Sequence, residues 1–332
     1  RTGAVLENDT KGDVVMTQTV TPDSKQLTQF FSKKKRRDML ALSPTTNTIL
    51  NILMVIGCIL TLFPIYVILI SSVTSEAALT RNGYRLWPEE FSTIAYTFLF
   101  REGSIVITAY KNTIISTVAG TILSVLMVGL YAYPLSRDNF KFERFFTFYA
   151  FFTMLFGGGL VAYYMVTRQI LQIHNSLWAL FLPSAFSPFW VIVMRTFYRT
   201  NVPKEVIESA RIDGASEWRT LFQVVMPLAV PGLATVALFS AIGIWNNFFN
   251  CLLLVDEAKY YNLQFTIYTT LNSIRFLLEN ADKMSGLVNV SELPSQTFRM
   301  AMAVVTVGPI IFAYPFFQRY FVRGLTMGAI KG

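Results

Sequence analysis

The residues that could perform chemistry are few and scattered in this 332-residue sequence. Cys58 and Cys251 both lie inside long apolar stretches, where cysteine behaves as a small hydrophobic residue. The single histidine, His174, has too few potential ligands near it for a metal centre. The sequence contains neither a serine or cysteine catalytic set nor a G-x-x-x-x-G-K-S/T nucleotide-binding loop. We therefore expect no catalytic site, no metal and no cofactor bound by this chain alone.

Neutral polar and aromatic residues inside the apolar stretches are the remaining candidates for ligand contact. The sequence IWNNFFNC places Trp245, Asn246 and Asn250 together, with the two asparagines one turn apart on one helix face. An aromatic ring beside amides suits a sugar, although hydrogen bonding between helices explains the asparagines equally well. Tyr163 and Tyr164 follow three consecutive glycines and are weaker candidates for a transport path, because packing explains them more simply.

One densely charged segment, EVIESARIDGASEWRTLFQVVMP (Glu205–Pro227), separates two apolar stretches. Its first half has helical spacing, with Ile207 and Ala210 on one side and charged residues around the rest. Gly214 interrupts this helix, and a second amphipathic helix leads to the proline. The small residues Ala210, Gly214 and Ala215 would let another protein approach the backbone closely. A loop that lies on lipid explains the pattern nearly as well, and periodicity does not distinguish the two.

The first helix of this segment has recognisable start and surface signals. We predict that Asn201 caps it and that Pro203 occupies its first turn. Lys204 with Glu208, and Glu208 with Arg211, have the spacing of surface ion pairs worth a few tenths of a kcal/mol each.

The elements that would position these residues are membrane-spanning helices. Only 14% of the residues are charged and 53% are hydrophobic, against roughly 25% charged in soluble domains. About 20 apolar residues cross the hydrocarbon core, and six uncharged runs are long enough. We predict an all-α polytopic membrane protein with six helices near Ile49–Ser71, Asn112–Leu135, Phe145–Val166, Ser176–Met194, Val224–Leu254 and Met300–Tyr320. The shorter piece Tyr260–Ile274 is predicted to be a folded loop.

Charge predicts the orientation. Nineteen of the 28 Lys and Arg residues fall in residues 1–47, 137–144, 195–219 and 319–332, on one side of the predicted helices. The positive-inside rule then places both termini in the cytoplasm. The net charge of +8 is thereby explained as a topology signal, so we expect no nucleic-acid partner. Residues 1–47 form a polar tail, predicted to be partly disordered, and 48–332 form the membrane domain.

Several motifs resemble those of ATP-binding-cassette (ABC) importer permeases. The run ESA (Glu208–Ala210), followed by Gly214 and then by VVMP at Pro227, resembles the EAA loop of this family. The run WNNFF resembles its fifth-helix motif, and RGLTMGAIKG resembles the C-terminus of the second permease of maltose-type importers. FGGGLVAYY and NSLWALFLPSAFSPFW are similar to the branch that takes up polysaccharide fragments such as alginate. The resemblance covers residues 48–332, with the motifs in the expected order.

The resemblance implies a type I ABC importer permease in a bacterial inner membrane, without catalysis of its own. The implied partners are a second, homologous permease, two ATPase subunits that bind ATP and Mg, an extracytoplasmic solute-binding protein and membrane lipid. It implies a coupling loop at 200–227, an outer loop at 256–299 and a C-terminal tail at 321–332. The implied ATPase-coupling residues are Glu205, Glu208, Ala210, Asp213, Gly214, Ala215 and Pro227. The implied ATPase-contacting tail residues are Gly324, Thr326 and Lys331.

Two other functions compete with an importer subunit of this kind. One is a channel or secondary carrier that acts alone, although no predicted helix has an ionisable residue at its centre to drive proton coupling. The other is a polytopic receptor or scaffold. The cargo implied by the resemblance is an oligosaccharide, and the resemblance to alginate-type importers suggests an acidic one. The outer loops hold nine acids and nine bases and so create no field that selects an anion.

Overall fold

The fold is helical in the computed structural model, which describes residues 43–101, 104–280 and 295–329. Within these ranges the only extended pairing is one antiparallel bridge between Thr74 and Phe91. The helices are α1 (Pro44–Ser72), α2 (Glu76–Asn82), α3 (Ile94–Leu99), α4 (Ile105–Leu135), α5 (Glu143–Leu155), α6 (Gly159–Ile170), α7 (Leu177–Ser184), α8 (Pro188–Asn201), α9 (Lys204–Ile212), α10 (Glu217–Leu228), α11 (Val230–Trp245), α12 (Phe249–Leu254), α13 (Leu263–Glu279) and α14 (Ser295–Ala329). Residues 1–42 of the predicted tail lie outside the described residues.

The chain divides into two compact units, Arg1–Leu62 and Phe63–Gly332. The described part of the first unit is the beginning of α1, where every side chain from Ser43 onward is exposed. This stretch is apolar on all sides, which suits a helix surrounded by lipid. The second unit contains the remaining helices and the core.

The lengths of the helices differ from the six straight spans predicted above. In the described part of the chain, α1 and α4 are each long and apolar enough to cross a membrane. Three bent pairs qualify if each is counted as one span: α5 with α6, bent by 116°, α7 with α8, bent by 53°, and α10 with α11, bent by 81°. The structure thus contains between two and five candidate spans, and α14 adds a shorter apolar helix over Gln296–Ile311.

Glycine and proline residues account for the bends. The sharpest bend follows α5 at the three glycines, where Gly159 has φ +78°. A side chain at Gly157 would meet nothing within 4 Å, so this glycine makes no close helix contact within the described residues. Pro188 lies in the first turn of α8 and Pro231 in the first turn of α11, positions where proline starts a helix but cannot continue one.

Two predicted elements are wrong in detail. The predicted fifth helix, Val224–Leu254, is not continuous, because the chain bends at Ala229 and leaves the helix again after Trp245. The predicted loop Tyr260–Ile274 contains most of α13. Its start is stabilised by Asn262, whose side-chain oxygen accepts a hydrogen bond from the Phe265 amide at 3.0 Å, as at a helix N-cap.

The buried side chains form three clusters in the second unit. The largest joins α4, α8, α9, α10 and α11 through residues such as Val128, Met194, Ile207, Val225 and Val236. A second cluster holds α3, the start of α4 and the start of α14 around Trp245 and Met302. A third surrounds Cys251 between α7, α12 and α13. The first cluster carries the charged segment described next.

Candidate functional site

The 200–227 segment folds as a helix, a tight turn and a second helix. Its first helix, α9, begins at Lys204, with Pro203 at the N-cap position and an extended backbone at φ −60° and ψ 136°. Asn201 is therefore not the cap that was predicted: it is the last residue of α8, and its amide bonds back to the Phe197 carbonyl at 3.3 Å. Proline has its φ preset for this position and lacks an amide proton that would otherwise need a partner.

The predicted break at Gly214 is confirmed. Gly214 has φ +77°, a region that residues with a side chain enter at a cost of about 1–2 kcal/mol. The amide of Ala215 donates to the Ala210 carbonyl at 2.9 Å, which closes the end of α9. Ser216 then caps α10, with its hydroxyl oxygen accepting from the Arg219 amide at 3.3 Å.

One side of the segment is buried in the largest core cluster. Ile207 of α9 is 3% exposed and packs in the same cluster as Val225 of α10 and Val128 of α4. Full burial of such a side chain stabilises the contact by about 1.5–3 kcal/mol. The segment is therefore held by its apolar side on other helices of the protein.

The opposite side of the segment is exposed. Ile212 is 87% exposed and Trp218 is 67% exposed, beside the exposed Phe222. Among the residues implied to couple, Glu205, Glu208, Asp213, Gly214 and Pro227 are exposed, and Ala210 and Ala215 are half-buried. The exposed side thus combines apolar, acidic and small residues.

The ion pairs of the segment differ from those predicted. Lys204 pairs with Asp138, and Arg211 pairs with Glu217 at 2.6 Å, so neither basic residue pairs with Glu208 as its spacing suggested. Both actual partners lie outside α9: Glu217 follows the turn at Gly214, and Asp138 lies in the connection between α4 and α5. The hydrogen bond from Lys204 holds the pKa of Asp138 below its ordinary value.

A hydrogen bond ties the segment directly to the end of α4. The Tyr133 hydroxyl, on a side chain that is 6% exposed, donates to Glu217 Oε2 at 2.6 Å. The other carboxylate oxygen of Glu217 accepts a hydrogen bond from Arg211 at 2.6 Å. The Glu217 side chain therefore joins α9, α10 and α4. Sequence reasoning missed Tyr133 and Glu217, because 84 residues separate them and neither belongs to the EAA pattern.

The predicted sugar-binding residues do not share one helix face. Asn246 follows the end of α11 and is exposed, whereas Asn250 lies in α12 and is buried, so the one-face prediction is wrong. Trp245 is 5% exposed and donates through its indole nitrogen to the Thr306 carbonyl at 3.1 Å. Its ring is therefore occupied by contacts with α14 and Tyr110.

Asn250 instead organises a polar junction inside the protein. Its side-chain oxygen accepts from the Tyr163 hydroxyl at 2.7 Å, and its amide donates to Ser184 at 2.9 Å and to the Leu180 carbonyl at 3.3 Å. A buried amide of this kind needs all its partners, which supports the packing explanation for this residue. Tyr164 is half-buried beneath the Arg168 guanidinium, 5.6 Å from the ring centroid.

The C-terminal residues implied to contact an ATPase are only partly described. Gly324 and Thr326 lie in the helical backbone of α14, and Lys331 lies outside the described residues.

The comparisons with known proteins agree with the resemblance. Residues 39–327 match a family described as "Binding-protein-dependent transport system inner membrane component". The chain is 33% identical to Protein LplC of Bacillus subtilis (strain 168), over 82% of this chain and 90% of that protein. It is 34% identical to the polygalacturonan/rhamnogalacturonan transport system permease protein YtcP of the same organism, over 81% of this chain and 91% of that protein.

A solved structure has the same fold. A chain in the crystal structure of a bacterial ABC transporter involved in the import of the acidic polysaccharide alginate superposes with a TM-score of 0.73 and 29% identity. The match covers 85% of this chain and 98% of the other. The predicted permease family is confirmed: this chain belongs to the binding-protein-dependent transport system inner membrane components.

Proposed function

We propose that this chain is a membrane-spanning permease subunit of an ATP-driven importer that takes up oligosaccharides delivered by a solute-binding protein. The relatives support this cargo class, because YtcP is named for polygalacturonan and rhamnogalacturonan transport and the structural neighbour belongs to a transporter involved in alginate import. ATP and Mg would bind to two separate ATPase subunits, and a second, homologous permease would complete the pathway. The chain would lie in a bacterial inner membrane, with six spans and both termini in the cytoplasm.

The observation that carries the coupling proposal is the two-sided character of the 200–227 segment. One side is anchored by Ile207 in the core and by the Tyr133–Glu217 hydrogen bond, while the other exposes Ile212 and Trp218. A segment held in this way would move with a soluble partner as a rigid body and would transmit that motion to α4. We propose that the exposed side seats on an ATPase subunit, with Glu208 facing a basic group there. The 321–332 tail would reach the ATPase subunits, and the 256–299 loop would meet the solute-binding protein.

Gly214→Asp tests the coupling proposal. Asp tolerates positive φ better than most residues, so the variant mainly adds a charged side chain to the exposed turn. Whether or not the purified assembly keeps all its subunits, its sugar-stimulated ATP hydrolysis should fall at least tenfold. Gly83→Asp is a stricter control for backbone strain, because Gly83 has φ +71° and ψ −166°, a region almost restricted to glycine, and likewise has nothing within 4 Å of an added Cβ.

Two results would reject this function. The first is sugar transport by the purified chain in vesicles without any ATPase, which would favour a channel or secondary carrier. The second is full coupling in Gly214→Asp, or equal losses in Gly214→Asp and Gly83→Asp.

We further propose that the cargo is an acidic oligosaccharide. Titration of the partner solute-binding protein with alginate or pectin fragments, and with neutral fragments of equal length, tests this directly. In the permease, Asn246 is the best-placed candidate for sugar contact, because its side chain is exposed near Gln264. Asn246→Ala should lower transport, whereas unchanged transport would remove the residue from the path.

A further inference from the structure

An apolar groove runs beside the last turns of α4. One cavity, of about 410 Å³, is lined by Leu130, Pro134, Phe140, Trp218 and others, and a second, of about 380 Å³, continues past it toward Phe186. Leu130, Pro134 and Phe140 line both cavities, so the two apolar surfaces are contiguous. Each cavity has the volume of a typical small-molecule site. We call this surface the α4 groove.

The floor of the α4 groove is rigid and aromatic. The ring of Tyr131 contacts Phe146 and Phe186 edge-on, with centroids 6.3 and 5.6 Å apart. These contacts join α4, α5 and the junction between α7 and α8. The groove therefore lies along helices that form candidate spans.

The groove is polar at one end only. There the first cavity is lined by Arg137, Asn139, Arg211 and Glu217. Arg211 and Glu217 neutralise each other in an ion pair. Arg137 lies over the Tyr133 ring, 5.6 Å from its centroid, and its Nε is buried without a hydrogen-bond partner. Among the described residues no carboxylate forms an ion pair with Arg137, and the four residues at this end have a net charge of +1.

We propose that the α4 groove is a binding site for one anionic phospholipid. The phosphate lies at Arg137, and an acyl chain covers Leu130, Pro134 and Phe140. One unpaired guanidinium matches the single charge of a phosphodiester, and arginine binds phosphate through several parallel hydrogen bonds. The site requires only that α4 spans a membrane, so it does not depend on the cargo or on coupling.

Lipid fits this surface better than an ATPase subunit does. A soluble partner could cover the polar end, whereas Tyr131 and Phe146 belong to α4 and α5, helices of the candidate spans. The apolar surface accepts the acyl chain, and the charge of Arg137 supplies the preference for an anionic headgroup.

Native mass spectrometry of the purified assembly, which contains the full chain, tests the proposal. The assembly is titrated with phosphatidylglycerol or with phosphatidylcholine of the same acyl chains, and with inorganic phosphate. The native assembly should bind phosphatidylglycerol in preference to phosphatidylcholine. Arg137→Gln should reduce that preference about tenfold, the size expected for one charge-assisted hydrogen bond. Lys141→Gln, an exposed charge in the same connection between α4 and α5 that lines neither cavity, should leave it unchanged.

A second variant tests the apolar part of the groove. Leu130→Trp places an indole where the acyl chain would lie, and should weaken the binding of both lipids. Equal binding of the two lipids by the native assembly, or equal losses in Arg137→Gln and Lys141→Gln, would overturn the proposal. Inorganic phosphate that binds as tightly as the lipid would also overturn it. Lipid uptake only after removal of the ATPase subunits would identify the groove as a subunit interface instead.

Discussion

Replacing Tyr133 with phenylalanine isolates the hydrogen bond that ties the 200–227 segment to α4. The change removes only the hydroxyl that donates to Glu217 at 2.6 Å and leaves the aromatic ring in the core, so no cavity forms. A hydrogen bond to a charged group contributes about 1.5–3 kcal/mol. Because the Glu217 side chain is 56% exposed, water replaces part of the loss, and we expect about 1.5 kcal/mol. That corresponds to roughly a tenfold rise in the population in which the segment is detached.

Amide hydrogen exchange in the purified assembly measures this population directly, because exchange reports local opening. Peptides from residues 204–228 should exchange about tenfold faster in Tyr133→Phe. Tyr131→Phe is the matched control, since the Tyr131 hydroxyl donates at 3.2 Å to the Phe146 carbonyl, away from the segment. It should leave exchange in residues 204–228 unchanged.

The reasoning is refuted if exchange in residues 204–228 is the same in Tyr133→Phe and in the native chain. A double-mutant cycle with Glu217→Gln gives a second check. The coupling energy between Tyr133 and Glu217 should be about 1 kcal/mol or more, whereas a value near zero would show that the contact does not hold the segment.

Three further changes have defined outcomes. Gly232→Ala should lower the melting temperature, because its Cβ would meet an aromatic ring at 2.8 Å and overpacking costs about 1–3 kcal/mol; Gly243→Ala, with nothing within 4 Å, should not. Glu76→Gln should speed exchange in the first turn of α14, where the carboxylate accepts hydrogen bonds from two backbone amides, at a cost of about 1 kcal/mol. The pKa of Asp138 is lowered from its ordinary value of 3.8. The ionised Asp138 carboxylate therefore stabilises the fold above pH 3.8, and this contribution is lost as the pH falls through the lowered pKa. The difference in melting temperature between the native chain and Lys204→Gln should therefore shrink below pH 3.8.

Each of these expectations has a contrary result. Equal melting temperatures for Gly232→Ala and Gly243→Ala would show that the neighbouring ring moves aside without cost. Unaltered exchange at the start of α14 in Glu76→Gln would show that the charge of the carboxylate is not needed there. A melting-temperature difference that stays constant from neutral pH to below 3.8 would exclude Asp138 as the titrating partner of Lys204.

The sequence alone determined the features of this protein that depend on neighbouring residues. Long uncharged runs predict membrane-spanning helices, because a charged side chain at any position of the run would cost free energy in lipid. Gly214 predicts a break because the preference for positive φ belongs to one residue, and the structure has φ +77° there. The order of motifs along the chain was enough to identify the permease family, and the comparisons confirm it.

Only the tertiary structure decided how those helices are broken and joined. Pro227 and Pro231 flank the bend at Ala229, yet Pro64 and Pro134 lie inside unbroken helices, so whether the chain bends at a proline depends on its contacts with distant helices. For the same reason Lys204 pairs with Asp138, 66 residues away, and Tyr133 bonds Glu217, 84 residues away. Helical spacing describes which residues share a face, but the contacts of that face depend on which other helix the chain brings against it.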